Sequence, residues 1–203
     1  MDRVRRTQES YDRIAAEYWQ RHDDRSALYS WMKKFAAQVA PCGRVLDLGA
    51  GPCVDSADLR GFGLDVISLD RSRQMLSVAR ERHPGLRVQG DSRHLPFPRA
   101  SIDGVWASAS LLHLERADLG PALAGIRDVL RPGGVLFLTL KEGAGEGWEI
   151  AKYGADTPRW FTYWSEREVD GLLEAAELDL VESSTEPGRP ERWIVRLARR
   201  RPA

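Results

Sequence analysis

The stretch Arg44-Val-Leu-Asp-Leu-Gly-Ala-Gly-Pro-Cys53 constrains the fold more than any other. Val45, Leu46 and Leu48 form a short apolar run, as in a parallel strand covered on both faces. The run breaks at Gly49-Ala-Gly51-Pro52, and residues 54–62 then take helical spacing. Strand, glycine turn and helix together bring backbone close to a nucleotide-like ligand. A Cβ would obstruct both the sharp turn and that approach.

Asp70 strengthens the reading. It ends a second strand-like run, Leu64-Asp-Val-Ile-Ser-Leu69, where a carboxylate can accept from both hydroxyls of a ribose. A dinucleotide fingerprint would place glycines at 49, 51 and 54, but position 54 is Val. The turn therefore suits a nucleoside without pyrophosphate better than NAD, and an NAD(P) dehydrogenase is the weaker reading. Tyr29 and Lys33 have the Tyr-x-x-x-Lys spacing of short-chain dehydrogenases, but they precede the turn instead of following it, so the match is coincidental.

Length and composition set the remaining bounds. The 203 residues suit one domain with a single buried core. Thirty basic and thirty acidic residues cancel, so no net field recruits a polyanion and nucleic acid is disfavoured. The basic Arg199-Arg-Arg201 reads as a solvated tail. Cys42 and Cys53 make no disulfide framework and suit a reducing cytoplasm. No Cys/His cluster has zinc spacing. The charged N-terminus leads into no signal-peptide core, and no apolar run reaches membrane length.

Periodicity predicts an amphipathic helix over 7–22, with Tyr11, Ile14, Ala15, Tyr18 and Trp19 on one face, and a second over 26–39. Strands follow at 44–48, 64–69, 86–89, 102–107 and 134–140, and helices at 54–62, 72–82 and 117–130. Arg131-Pro-Gly-Gly134 should stop the last of these helices. Such alternation implies a parallel sheet with helices on both faces. The tail differs: a helix at 166–176 precedes two strand-like runs, Leu178–Ser183 and Trp193–Leu197, separated by Pro187-Gly-Arg-Pro190. These read as a hairpin with an antiparallel last strand.

Five segments in order resemble the class I S-adenosylmethionine (SAM)-dependent methyltransferases. Asp47-Leu-Gly-Ala-Gly51 is similar to their first motif, Tyr11–Tyr18 to their N-terminal cap, and Ser68-Leu-Asp70 to their ribose-binding strand end. Gly90–Phe97 is similar to their adenine loop and Leu130–Gly134 to their turn into strand five. The resemblance implies an α/β, Rossmann-like, doubly wound sheet of seven strands with an antiparallel last strand and an N-terminal helical cap. It divides one domain into a cap (1–40), a SAM-binding core (44–140) and an acceptor lid with the C-terminal hairpin (141–203).

It also implies roles for residues. Gly49 and Gly51 would pass beneath the methionine part of SAM, and Asp47 would help fix its amino group. Asp70 would hold the ribose, with Arg71 and Ser72 flanking the adenine edge. Asp91 and Ser92 would meet the adenine, anchored by Leu95, Pro96 and Phe97, with His94 at the surface. Ser108, after strand four, would touch SAM. Tyr11, Tyr18 and Trp106 could surround the sulfonium with aromatic faces.

Cys53 replaces the family's third glycine, which predicts a tighter pocket floor; alternatively it is a small helix-start residue without chemistry. The aromatic stretch 143–164, opened by glycines, reads as a lid over an acceptor pocket or as rings packing the last strands. His113 is placed to act as a general base, or it is a core histidine bound to a loop carbonyl. The implied activity is methyl transfer to a small-molecule acceptor at O, N or C by a cytoplasmic monomer or homodimer, with no metal. A catalytically inactive SAM-binding partner subunit is the alternative.

Overall fold

A computed structural model describes residues 2–80, 83–150, 153–188 and 191–202. Its sheet has strands β1 (Arg44–Leu48), β2 (Asp65–Asp70), β3 (Leu86–Gln89), β4 (Ile102–Ala107), β5 (Leu130–Lys141), β8 (Leu178–Glu186) and β9 (Trp193–Arg200). Their order is β3-β2-β1-β4-β5-β9-β8. The first five pair in parallel, while β9 runs antiparallel to both its neighbours. Two further strands, β6 (Glu146–Glu149) and β7 (Arg159–Thr162), form a small antiparallel sheet of their own.

Side-chain alternation sorts the core into two layers. Leu46, Leu48, Ile67, Leu69, Val105 and Leu136 face one side, against helices α5 (Arg116–Val129) and α6 (Glu166–Ala175). Val45, Val66, Trp106, Phe137 and Leu197 face the other, against α2 (Tyr29–Ala36) and α3 (Val54–Gly61). On that face Trp106 stacks on Phe137 with ring centres 3.8 Å apart, and Phe35 meets Trp106 edge-on at 5.3 Å.

Helix α1 (Arg3–Arg21) starts earlier than periodicity suggests because the Asp2 carboxylate caps it, accepting from Arg5 N. The helix lies across the end of the sheet. Asp12 accepts from Ser72 Oγ at 2.6 Å and from Gln74 N, joining α1 to α4 (Arg73–Ala79). Thr7 Oγ1 accepts from Trp160 N, and Ser10 Oγ donates to Pro158 O, joining it to β7 and the loop before it.

Several expectations change. The helix expected over 26–39 divides into a 3₁₀ turn, Ser26–Leu28, and α2. Tyr29 is 58% exposed, in keeping with a chance pairing with Lys33. The helix stops at Val129 as expected, but strand β5 begins at Leu130 instead of 134, and its register against β4 shifts at the Pro-Gly-Gly segment, with Gly133 left-handed. The Arg199–Arg201 run is not a loose tail: Arg199 donates to Gly133 O, Arg200 to Leu130 O, and Arg201 pairs with Asp179. The stretch after Gly143 forms β6 and β7 with Trp160, Phe161 and Trp164 buried, so these rings do pack. The end of the expected helix 72–82, at 81–82, lies outside the described residues, as do 189–190 of the hairpin connection.

Phe137 is fully buried in the aromatic stack. Phe137→Ala should cost about 3–5 kcal/mol of unfolding free energy, checked by urea denaturation.

Candidate active site

The glycine turn is drawn against the end of β2. Gly49 N and Ala50 N both donate to Leu69 O, at 2.8 and 2.9 Å, and Gly51 N donates to Asp70 Oδ2 at 2.7 Å. The other oxygen of Asp70 accepts from Ser72 N at 2.7 Å, which sets the start of α4. Gly49 has φ +74°, and a Cβ there would overlap Ser110. Gly51 has φ +51°, and a Cβ there would meet no atom within 4 Å. It faces open space.

That space is a cleft whose volume, open mouth included, is about 760 Å³. The glycine turn and Asp70 form one wall, and Tyr11 and Tyr18 of α1 form another. Gly90, Asp91 and Ser92, after β3, and Ser110, His113 and Leu114, after β4, line it as well. Of the residues expected from sequence, Tyr11, Tyr18, Gly49, Gly51, Asp70, Arg71, Asp91, Ser92 and His113 line this one cleft.

Three do not. Asp47 is 2% exposed and turned to the α3 side, where its Oδ2 accepts from Ser56 Oγ at 2.5 Å. Strand parity puts it opposite Leu46 and Leu48. The same parity sends Trp106 into the α2 layer, where its Nε1 donates to Asp55 at 2.8 Å, so it offers no face to a sulfonium. Ser108 is also displaced. Ala109 takes a left-handed backbone (φ +49°), which turns the chain so that Ala109 and Ser110 reach the cleft.

Cys53 is corrected in a different sense. It caps α3 in the left-handed region (φ +61°), a conformation that explains a glycine at this place. Its side chain packs with Ala50, Leu76 and Ala79 and lines no part of the cleft, so the floor is not tightened. Burial pushes its thiol up to about 11, which makes it a poor nucleophile.

The charges in the cleft are held firmly. Burial raises the Asp70 pKa to about 6, against the lowering effect of the Ser72 and Gly51 N–H groups. Burial also works to raise Asp91, but hydrogen bonds from Arg93 and the charge of Arg71 prevail and hold it below the usual carboxylate range. Arg71 additionally donates to Gln8 of α1. His113 Nδ1 lies 2.6 Å from Trp160 O, an acceptor only, so Nδ1 carries the proton. Nε2 then accepts from the Tyr11 hydroxyl at 2.7 Å. Burial, with the charges of Arg159 and Lys141, pushes His113 down to about 3, although the Trp160 carbonyl pulls the other way. A free general base at this position is not what the geometry presents.

Sequence reasoning missed Val4, Thr7 and Gln8, which line the cleft from the first turns of α1. Gln8, Thr7 and Val4 lie three, four and seven residues before Tyr11, on one helical face, which carries the signal once the helix is extended back to its Asp2 cap. Ser110 was also missed: its Oγ is buried without a hydrogen-bond partner on the cleft wall. An unpartnered hydroxyl beside a glycine cradle fits a polar ligand.

Residues 46–138 match the family described as "Methyltransferase domain". That segment is just under half of the chain, and together with the strand order of the sheet it resembles a class I methyltransferase domain. A demethylmenaquinone methyltransferase of Beutenbergia cavernae is 43% identical over 107 residues, covering 51% of this chain and 42% of that protein. A malonyl-[acyl-carrier protein] O-methyltransferase of Xylella fastidiosa is 38% identical over 102 residues, covering 47% of this chain and 34% of that one. The chain thus spans less than half the length of these two relatives. Among solved structures, the Burkholderia thailandensis 1,6-didemethyltoxoflavin-N1-methyltransferase, with bound substrate and S-adenosylhomocysteine, superposes with a TM-score of 0.76. It is 23% identical, with 96% of this chain and 87% of that chain covered, and shares the fold. The glycine turn, Asp70 and the Asp91 loop all fall within the matched segment.

Burial and the charge of Asp55 hold Asp47 well above the ordinary carboxylate range. An acid with a raised native pKa loses folding free energy as pH climbs from its unfolded value, 3.8, towards the native one. Asp47→Asn cannot ionise. Its stability relative to the parent should therefore be lowest near pH 4 and improve by about 1 kcal/mol or more by pH 7, read from urea midpoints across that range.

Proposed function

We propose that the cleft binds SAM and that the domain transfers its methyl group to a small-molecule acceptor. The observation that carries this reading is the Asp70 carboxylate on the cleft wall. Two of its roughly four acceptor positions take the Gly51 and Ser72 N–H groups, which leaves the others for two ribose hydroxyls. Gly51, bare on the same wall, lets a ligand come close to backbone. Asp91 and Ser92 line the same cleft and would meet the adenine, and Ser110 Oγ is a further polar group there without a partner.

Bound SAM would supply an electrophilic methyl on a sulfonium. The chain's own task is alignment and exclusion of water. Tyr11 and Tyr18 present ring faces to the cleft, which suits a cation. Helix α1 serves as the cap, fastened by Asp12 to Ser72 and by Thr7 to Trp160. The neutral His113 holds the Tyr11 hydroxyl in place; it does not take a proton from the acceptor. This favours an acceptor atom that attacks unaided. The inactive-partner reading drew its weight from Cys53, whose side chain leaves the cleft wall untouched.

Among the described residues no helix is long and apolar enough to cross a membrane. The small-molecule class of acceptor is supported by the two curated relatives, named for a menaquinone precursor and for malonyl-[acyl-carrier protein].

Asp70→Ala should weaken S-adenosylhomocysteine binding by about 1.5–3 kcal/mol, measured by calorimetric titration of a variant shown to be folded. His113→Gln should keep that affinity within a few fold. Affinity of Asp70→Ala within twofold of the parent would remove the ribose assignment.

A further inference from the structure

Three cations are buried among the described residues, and two of them are paired. Lys141 bonds Glu149 and Glu191 at 2.9 Å each, and Arg196 pairs with Glu166 and Asp170. The third, Arg159 at the start of β7, is 6% exposed and has no carboxylate at ion-pair distance among the described residues. Its Nε has no hydrogen-bond partner, and one terminal nitrogen reaches only the Tyr11 hydroxyl, at 3.5 Å. Glu149, whose pKa the Arg159 charge helps lower, is taken by Lys141 and by the Tyr163 hydroxyl.

The guanidinium lies 5.0 Å from the Tyr153 ring centre, 5.1 Å from Phe161 and 5.7 Å from Tyr11. Aromatic faces compensate a cation only in part, and a buried charge without a counterion is costly. Tyr11 joins this box to the cleft, since it lines the cleft and meets Arg159 at its hydroxyl. A guanidinium offers two parallel N–H bonds to a planar oxyanion.

We propose that Arg159 anchors a carboxylate on the methyl acceptor, seated beside Tyr11 between the rings of Tyr153 and Phe161. This rests on the cleft being the SAM site and names the class of acceptor it serves. The carboxylate is the handle that orients the acceptor. It gives Nε and the terminal N–H groups the partner that the fold withholds.

The test uses the full chain saturated with S-adenosylhomocysteine, whose own carboxylate keeps its place filled. Calorimetry comes first: absence of binding would sink the cofactor reading itself. Thermal unfolding is then followed with acetate, acetamide or chloride at equal, tens-of-millimolar concentration. Acetate should raise the midpoint by about 1 °C or more beyond the other two in the parent and not in Arg159→Met. Arg159→Met should itself leave the midpoint unchanged or raised, because it removes an unpaired buried charge. Equal shifts with acetate and acetamide in the parent, or an acetate shift that survives in Arg159→Met, would overturn the anchor. So would a variant midpoint several degrees lower without an acetate-specific shift in the parent. Should Arg159→Met not fold, Arg159→Lys decides: halving or loss of the acetate-specific shift supports the anchor, and an unchanged shift refutes it.

Discussion

The Asp70 carboxylate is the joint on which the cleft depends. One oxygen fixes the turn after β1 through Gly51 N, and the other fixes the first turn of α4 through Ser72 N. A single side chain at the end of β2 thus sets the spacing between two strand ends and two helix starts. The Leu69 carbonyl adds two more bonds to the same turn. Backbone that a sheet cannot satisfy beyond its last residue pair is satisfied here by a carboxylate, at the cost of ionising a buried acid. The raised pKa of Asp70 records that cost.

Around this joint the two core layers do different things. The α5 and α6 layer is largely apolar, with the buried Arg196 paired to Glu166 and Asp170 of α6. The α2 and α3 layer carries Trp106, Asp55 and Asp47 close to the glycine turn, with Arg25 making a two-pronged bond to Asp55. Arg25 lies between α1 and α2, so this buried ion pair ties the end of the cap segment to the helix that follows the turn. Its benefit is positional more than energetic, since removing two charges from water offsets most of their attraction.

Much of the architecture was legible because it follows from local chemistry. Apolar runs of strand length, glycines after the first strand and an acid ending the second suffice for the sheet, the turn and the cleft wall. Boundaries failed where a single capping group decided them, as Asp2 does for α1. Site residues failed where parity decided them. Asp47 and Trp106 pair across β1 and β4, yet alternate positions on a strand look to opposite faces, and both fall on the covered one. Ser108 failed because one left-handed residue, Ala109, resets the alternation after the strand ends. Arg159 carried no sequence signal, since an arginine within an aromatic stretch looks the same whether solvated or buried. Only the count of its partners separates the two.

The fastening of α1 bears on access to the cleft. Its bonds run from Asp12 to Ser72, from Thr7 to Trp160 and from Tyr11 to His113, and all lie over the cleft's own lining. The cleft has an open mouth, and any motion that parts these bonds widens it. The size of what can enter or leave is thereby tied to how firmly one nineteen-residue helix is fastened.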